Sequence, residues 1–151
     1  MLARSFLVFG LLSCALITAS ALAQEGHPAK GTWVGFWGPI DAPARLVIVI
    51  DYDGKNLSGS VNPGPNAIPL KVARMDITPG PPPSKQGDPV GEPTFKLHIE
   101  ADSKDAKGNS ISIVADGTMR DVGLPNRLLA GTWMQTSGGK TVKADFKIRR
   151  Q

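Results

Sequence analysis

From residue 31 onward the chain is a series of short runs in which apolar and polar positions alternate, broken by turn-forming residues, and no stretch keeps apolar residues at helical spacing for three turns. Alternation of period two, rich in Val, Ile, Thr and aromatics, is the mark of strands with one buried face. The runs predict strands over residues 31–38, 45–52, 55–62, 67–77, 94–101, 110–120, 127–136 and 140–150. In the last of them Val142, Ala144, Phe146 and Ile148 lie on one side, and Thr141, Lys143, Asp145, Lys147 and Arg149 on the other. Asp53-Gly54 between the second and third runs predicts a tight hairpin, because Gly accepts positive φ at little cost. In the fourth run Ile68, Leu70 and Val72 share a phase that Met75 and Ile77 do not, which predicts a β-bulge near Ala73 or Arg74. Six prolines fall among the 15 residues 79–93. They forbid a paired interior strand and predict an extended, mobile loop.

Eight sequential strands joined mainly by short turns form a meander, which must close on itself or leave two edges open to aggregation. The expected fold is therefore all-β, an eight-stranded antiparallel up-and-down barrel, with a flattened two-sheet sandwich as the runner-up. An eight-stranded barrel is just wide enough inside to be filled by its own side chains or to hold one small ligand.

The amino terminus changes the picture of where this barrel works. Residues 1–23 carry a positive charge at Arg4, an apolar run from Phe6 to Ile17 and a small-residue exit, Ala21-Leu22-Ala23. That is the pattern of a cleaved signal peptide and predicts a secreted or periplasmic protein. The apolar run is shorter than the roughly 20 residues that span a bilayer, so no membrane span is expected. Leu11-Leu12-Ser13-Cys14 loosely resembles a lipobox, but apolar residues continue beyond Cys14, as in the middle of a signal peptide. Cleavage after Ala23 would leave 128 residues, 24–151, enough for one domain with one core. Cys14 is the only cysteine, so residues 24–151 have no disulfide, thiolate nucleophile or cysteine metal cage. Their 16 Lys and Arg stand against 13 Asp and Glu, a net charge of +3 scattered along the chain, which does not suit a nucleic-acid groove.

Gly31-Thr32-Trp33 at the start of the first strand resembles the Gly-x-Trp opening shared by lipocalins and avidins. The resemblance implies that Trp33 closes one end of the barrel and that a basic residue of the last strand, here Arg150, lies over its indole. Most of residues 24–151 is also similar to a lipocalin-like domain of bacterial secreted proteins, found alone or in front of hydrolase domains. The matching positions are Trp33-Val34-Gly35, Leu46-Val47-Ile48 leading to Asp53-Gly54, Leu57-Ser58-Gly59, and Gly131-Thr132-Trp133. They imply structural roles, Trp133 among them, and bring neither a catalytic residue nor a settled ligand. The chain departs from the resemblance in the Pro-rich insertion 79–93, and from lipocalins in lacking disulfides and a carboxy-terminal helix.

Candidate chemistry is sparse. Asp51 and Asp53 bring two carboxylates close together ahead of Gly54, but their spacing to it does not fit an EF-hand and no bidentate Glu follows. His98 stands on the polar side of its strand between Lys96 and Glu100, where a solvated histidine is expected, and His27 is far from it in sequence. Ser58-Gly59-Ser60 does not match the nucleophile elbow, and Gly138-Gly139-Lys140-Thr141 lacks the earlier glycine of a phosphate loop. No enzyme, metal or cofactor is therefore expected. Lys143, Lys147 and Arg149 form a basic stripe.

The first two strands are apolar on both faces, one more than a lone barrel needs. The surplus packs under the Pro-rich loop or forms a dimer or partner interface. Val34, Phe36, Trp37 and Tyr52 make up the expected ligand or partner surface. The leading expectation is a non-enzymatic barrel that binds a small apolar or amphipathic molecule, or a surface glycan, at the end under the Pro-rich loop. The alternative is a filled barrel that serves as a protein-interaction module, with a homodimer or another protein as its partner.

Overall fold

The computed structural model describes residues 26–151, and the expectations for residues 1–23 and for Cys14 lie outside them. Eight strands follow in order: β1 (Gly31–Trp37), β2 (Ala44–Tyr52), β3 (Leu57–Val61), β4 (Ile68–Thr78), β5 (Thr94–Lys104), β6 (Ser110–Arg120), β7 (Leu128–Ser137) and β8 (Lys140–Arg150). Each pairs antiparallel with its neighbours in sequence, and β1 pairs with β8 to close the barrel. No helix occurs among the described residues. The up-and-down barrel expected from the alternation is the fold, and the sandwich is not.

The inward positions fill the interior in rows of large and small side chains. One row runs Ile99, Ala115, Trp133, Ala144 across β5 to β8, so that the Trp133 indole has an alanine on either side. The next row runs Gly117, Gly131, Phe146. A Cβ on Gly117 would lie 2.7 Å from the tip of the Phe146 ring, and one on Gly131 would lie 2.0 Å from the Asp116 carbonyl oxygen. These glycines bring β6 and β7 close together and leave a recess for the ring, a use of strand glycine that has nothing to do with turns. Trp33, Leu46, Ile48, Ile50, Val61, Ile99, Ile113, Leu129, Trp133 and Ile148 are all fully buried.

We call the end of the barrel at the start of β1 the lower end. Trp33 plugs it. Its indole N–H donates to the Ala29 carbonyl at 2.8 Å, which ties the turn at residues 27–30 across the opening. Arg150 stands opposite Trp33 in the ladder and beside Gly31. The buried guanidinium of this end belongs to another residue, Arg127, which is 3% exposed. Arg127 donates to the Val122 and Pro28 carbonyls, and its own carbonyl accepts the Arg150 N–H at 3.0 Å. At the upper end Trp37 packs on Trp133, with ring centres 5.5 Å apart, and Trp133 meets the edge of Phe146.

Two local expectations are corrected. The bulge lies between Leu70 and Val72, ahead of the place read from the phase shift. Val72 therefore pairs with outward Glu100, while Ala73 takes the inward position opposite Ile99. The Pro-rich loop does not cover the apolar outer side of β1 and β2, because it joins β4 to β5 across the barrel. Within the loop the two limbs meet, with the Gly91 N–H donating to the Pro81 carbonyl at 3.0 Å.

The two buried indoles differ in one respect: Trp33 has a hydrogen-bond acceptor and the Trp133 N–H has none among the described residues. Trp33→Phe strands the buried Ala29 carbonyl, whereas Trp133→Phe removes a donor that is already unpaired. Trp33→Phe should therefore cost about 1–3 kcal/mol more than Trp133→Phe in urea unfolding. Equal costs would show that the bond to Ala29 contributes nothing. Trp33→Ala, which also empties the plug, should cost about 3–5 kcal/mol.

Candidate functional site

The residues expected to form one surface occupy three places. Val34 and Phe36 point outward from β1: Val34 is paired with Val47 and Arg149, and Phe36, 57% exposed, stands between Arg45 and Lys147. Trp37 is on the inner side at the upper end, against Trp133. Tyr52 is on the inner side at the lower end, where its ring lies 4.7 Å from that of His27 and its hydroxyl donates to the Gly54 carbonyl at 2.7 Å. Alternation puts Trp37 and Val34 on opposite faces of β1, so a single patch holding both is geometrically impossible.

The lower end carries a groove of about 740 Å³ between the base of the Pro-rich loop and the β6–β7 connection. Its apolar lining is Phe95, Met119, Val122 and Leu124, the last 53% exposed. Phe95 and Met119 are opposite each other on β5 and β6 and so present one continuous floor. Arg120 and Glu92 stand at the rim, both exposed, and neither makes an ion pair among the described residues. The wall formed by residues 121–127 is held in several ways. Asp121 takes a left-handed conformation with φ 57°, and its carbonyl accepts the Leu124 N–H at 2.8 Å. Arg149 reaches the Asn126 carbonyl at 3.0 Å and the Asp121 carboxylate at 3.8 Å, while Arg127 pins Val122 from inside. Asp tolerates this conformation better than most residues, so the wall is preformed at small strain.

The sequence led to the expectation of a site at the end under the Pro-rich loop, but it did not single out the residues of this groove. The apolar pair Val122 and Leu124, inside a connection that reads as polar, was the available signal. What hid it is that Val122 and Leu124 belong to no alternating run, so no periodicity marks them, and Arg120 stands at the very end of one.

A second depression, about 370 Å³, lies on the outer side of β4 to β7 around His98. His98 is not the solvated histidine expected, since its side chain is only 15% exposed. Register sets it beside Asp116 on β6, 2.7 Å from Nδ1, and Glu100, two residues along β5, lies 3.1 Å from Nε2. A neutral imidazole has one N–H and would leave a carboxylate facing a lone pair; the imidazolium satisfies both. The Asp116 hydrogen bond, then that of Glu100, raises the His98 pKa above its ordinary 6.5, against the opposing effects of burial and, after it, the charge of Arg74. Both ring nitrogens are thus occupied by carboxylates, an arrangement that ties β5 to β6 and offers no free base.

Asp53 is also accounted for by the fold. Its carboxylate accepts the N–H groups of Lys55 at 2.8 Å and Asn56 at 2.7 Å, which close the hairpin and hold its pKa below the usual carboxylate value. Among the described residues no three His, Cys, Asp or Glu side chains come together as a metal-holding group.

The raised His98 pKa has a stability consequence whose sign follows from linkage. The stabilisation is fully present below pH 6.5, the unfolded value, and is lost as pH rises through the higher folded value. Asp116→Asn should bring the His98 pKa down, read by NMR titration of the imidazole. It should also destabilise the protein more at pH 5 than at pH 9, a difference on the order of one pKa unit's worth of free energy or less for this exposed carboxylate. An unchanged His98 titration would remove Asp116 as the cause.

No family model, no curated protein and no solved structure matches the chain.

Proposed function

We propose that the protein is a secreted, non-enzymatic barrel of lipocalin-like type that binds a small amphipathic molecule in the groove at its lower end. The observation that carries this reading is the pairing of an apolar floor, Phe95, Met119, Val122 and Leu124, with an exposed Arg120 at its rim that makes no ion pair among the described residues. Pockets for small ligands combine a largely apolar lining with a few polar groups that fix orientation. The floor suits an aliphatic or aromatic body and Arg120 an anionic head. The interior supports a site at the end in preference to one inside, because two indoles and the buried aliphatic side chains already fill it. The amino-terminal pattern of residues 1–23 supports secretion. The Trp33 plug and the Gly131-Thr132-Trp133 motif support the lipocalin-like relationship. The carboxylates and imidazole that acid-base chemistry would use are occupied by structural hydrogen bonds at Asp53 and His98, which supports a binding role.

Anilinonaphthalene sulfonate, an aromatic body with an anionic head, is a suitable probe. Its fluorescence should rise with the native protein and fall again for Leu124→Asp, with affinity lowered roughly tenfold by a charge placed in the apolar floor. Arg120→Glu should weaken the same probe by a smaller factor, since the residue is exposed. Deleting residues 80–90 should alter probe binding while leaving the melting temperature nearly unchanged. Probe binding that ignores both point substitutions would place the site elsewhere.

A further inference from the structure

The barrel closes, but not over the full length of every strand. β3 has five residues and β4 has eleven, and the two are paired only through Ser60 with Pro69 and Val61 with Ile68. Beyond the bulge at Lys71, β4 continues to Thr78, and among the described residues it is paired there only on its β5 side. Antiparallel register sets Leu57, the first residue of β3, level with Val72, so residues 73–78 run past the end of β3. At residues 73–75 their other backbone edge lines a cleft of about 500 Å³ between β4 and the tip of the β2–β3 hairpin, whose other wall includes His27, Tyr52, Lys55 and Leu57. Such an edge is a template for another strand. Pro79, which has no N–H, ends it.

Natural edges are commonly guarded by charges that repel a like strand. The outward residues here are Arg74 and Asp76, opposite in sign and two apart, both exposed and neither in an ion pair among the described residues. In an antiparallel pairing of this segment with itself, a two-fold axis at Met75 sets Arg74 directly opposite Asp76 of the second copy, and Asp76 opposite its Arg74. The same register sets Ala73 against Ile77 and Met75 against Met75 on the inner side. Ile77 is 55% exposed in the lone barrel. Both charged outward pairs are attractive and every inward pair is apolar, with Val72 against Thr78 at the margin, so the charges that elsewhere prevent edge pairing select for it here. Lys71, the other cation of this wall, is already engaged by Asp102 at 2.9 Å and takes no part.

We propose that residues 72–78 are a self-complementary edge through which two copies of the chain form an isologous dimer, β4 against β4, in the register fixed by Arg74 and Asp76. A two-fold pairing is the commonest form of homodimer and repeats each contact twice. This dimer is independent of the groove at the base of the Pro-rich loop.

The test is sedimentation equilibrium of the full chain over a dilution series. The native protein should dissociate from dimer to monomer on dilution. Arg74→Asp and Asp76→Arg each turn two symmetry-related attractions into repulsions and should raise the dissociation constant roughly tenfold or more. The double variant R74D/D76R restores both attractions and should return the constant to within about threefold of the native one, within ordinary cycle error. Both side chains are exposed, so an unchanged melting temperature will show that the variants fold. A chain that remains monomeric throughout overturns the proposal, as does a dimer indifferent to either single reversal or one that the double variant does not rescue.

Discussion

Closing eight strands into a ring leaves an interior whose width is set by strand number and tilt, and everything put inside must match it. Two indoles are much to accommodate. Trp133 fits because its row neighbours are Ala115 and Ala144, and Phe146 fits because Gly131 and Gly117 bear no side chain beneath it. Trp33 fits by standing at the lower end, where its N–H reaches the chain that crosses the opening. A fully packed interior then decides where binding chemistry has room, at the ends and on the outside. The glycines of the two Gly-x-Trp motifs differ: Gly131 lets β6 and β7 approach, whereas Gly31, at φ 137°, leaves room for the Arg150 side chain.

Much of this was legible in the alternation of the sequence. Period two places Leu46, Ile48 and Ile50 inward, and Val142 to Ile148 likewise, and eight such runs imply closure. What alternation does not contain is which outward residues meet. His98 reads as a solvated histidine because Lys96 and Glu100 flank it in sequence, while its partner Asp116 is 18 residues away and arrives only through the register of β5 with β6. The bulge was misplaced for a related reason. Its sequence trace is a shift of phase seen only once Met75 and Ile77 establish the new one, several residues after Lys71 where the extra residue sits.

Phase puts Trp37 on the Trp33 face of β1, opposite Val34 and Phe36, so neighbours in sequence need not share a surface. The closeness of Trp37 to Val34 and Phe36 in sequence suggests one aromatic patch, yet the pleat sends it to Trp133 inside and Phe36 outward between two cations. The Pro-rich segment reads correctly as a non-strand from proline content alone. That its two limbs meet at Gly91 and Pro81 rests on a contact between residues ten apart that composition does not encode.

The two ends of the barrel have different work because an up-and-down chain alternates its connections between them. The upper end receives the connections after β1, β3, β5 and β7, and the lower end those after β2, β4 and β6 together with both chain termini. The two longest connections, residues 79–93 and 121–127, both fall below, and between them they form the groove. The unpaired length of β4 also lies below, since a short β3 that meets β4 at the upper end must fall short of it at the lower one. Groove and open edge therefore have a common origin in strands of unequal length joined by loops of unequal length. The Trp33 plug is what makes such an end possible, because it seals the core beneath surface features that could not seal it themselves.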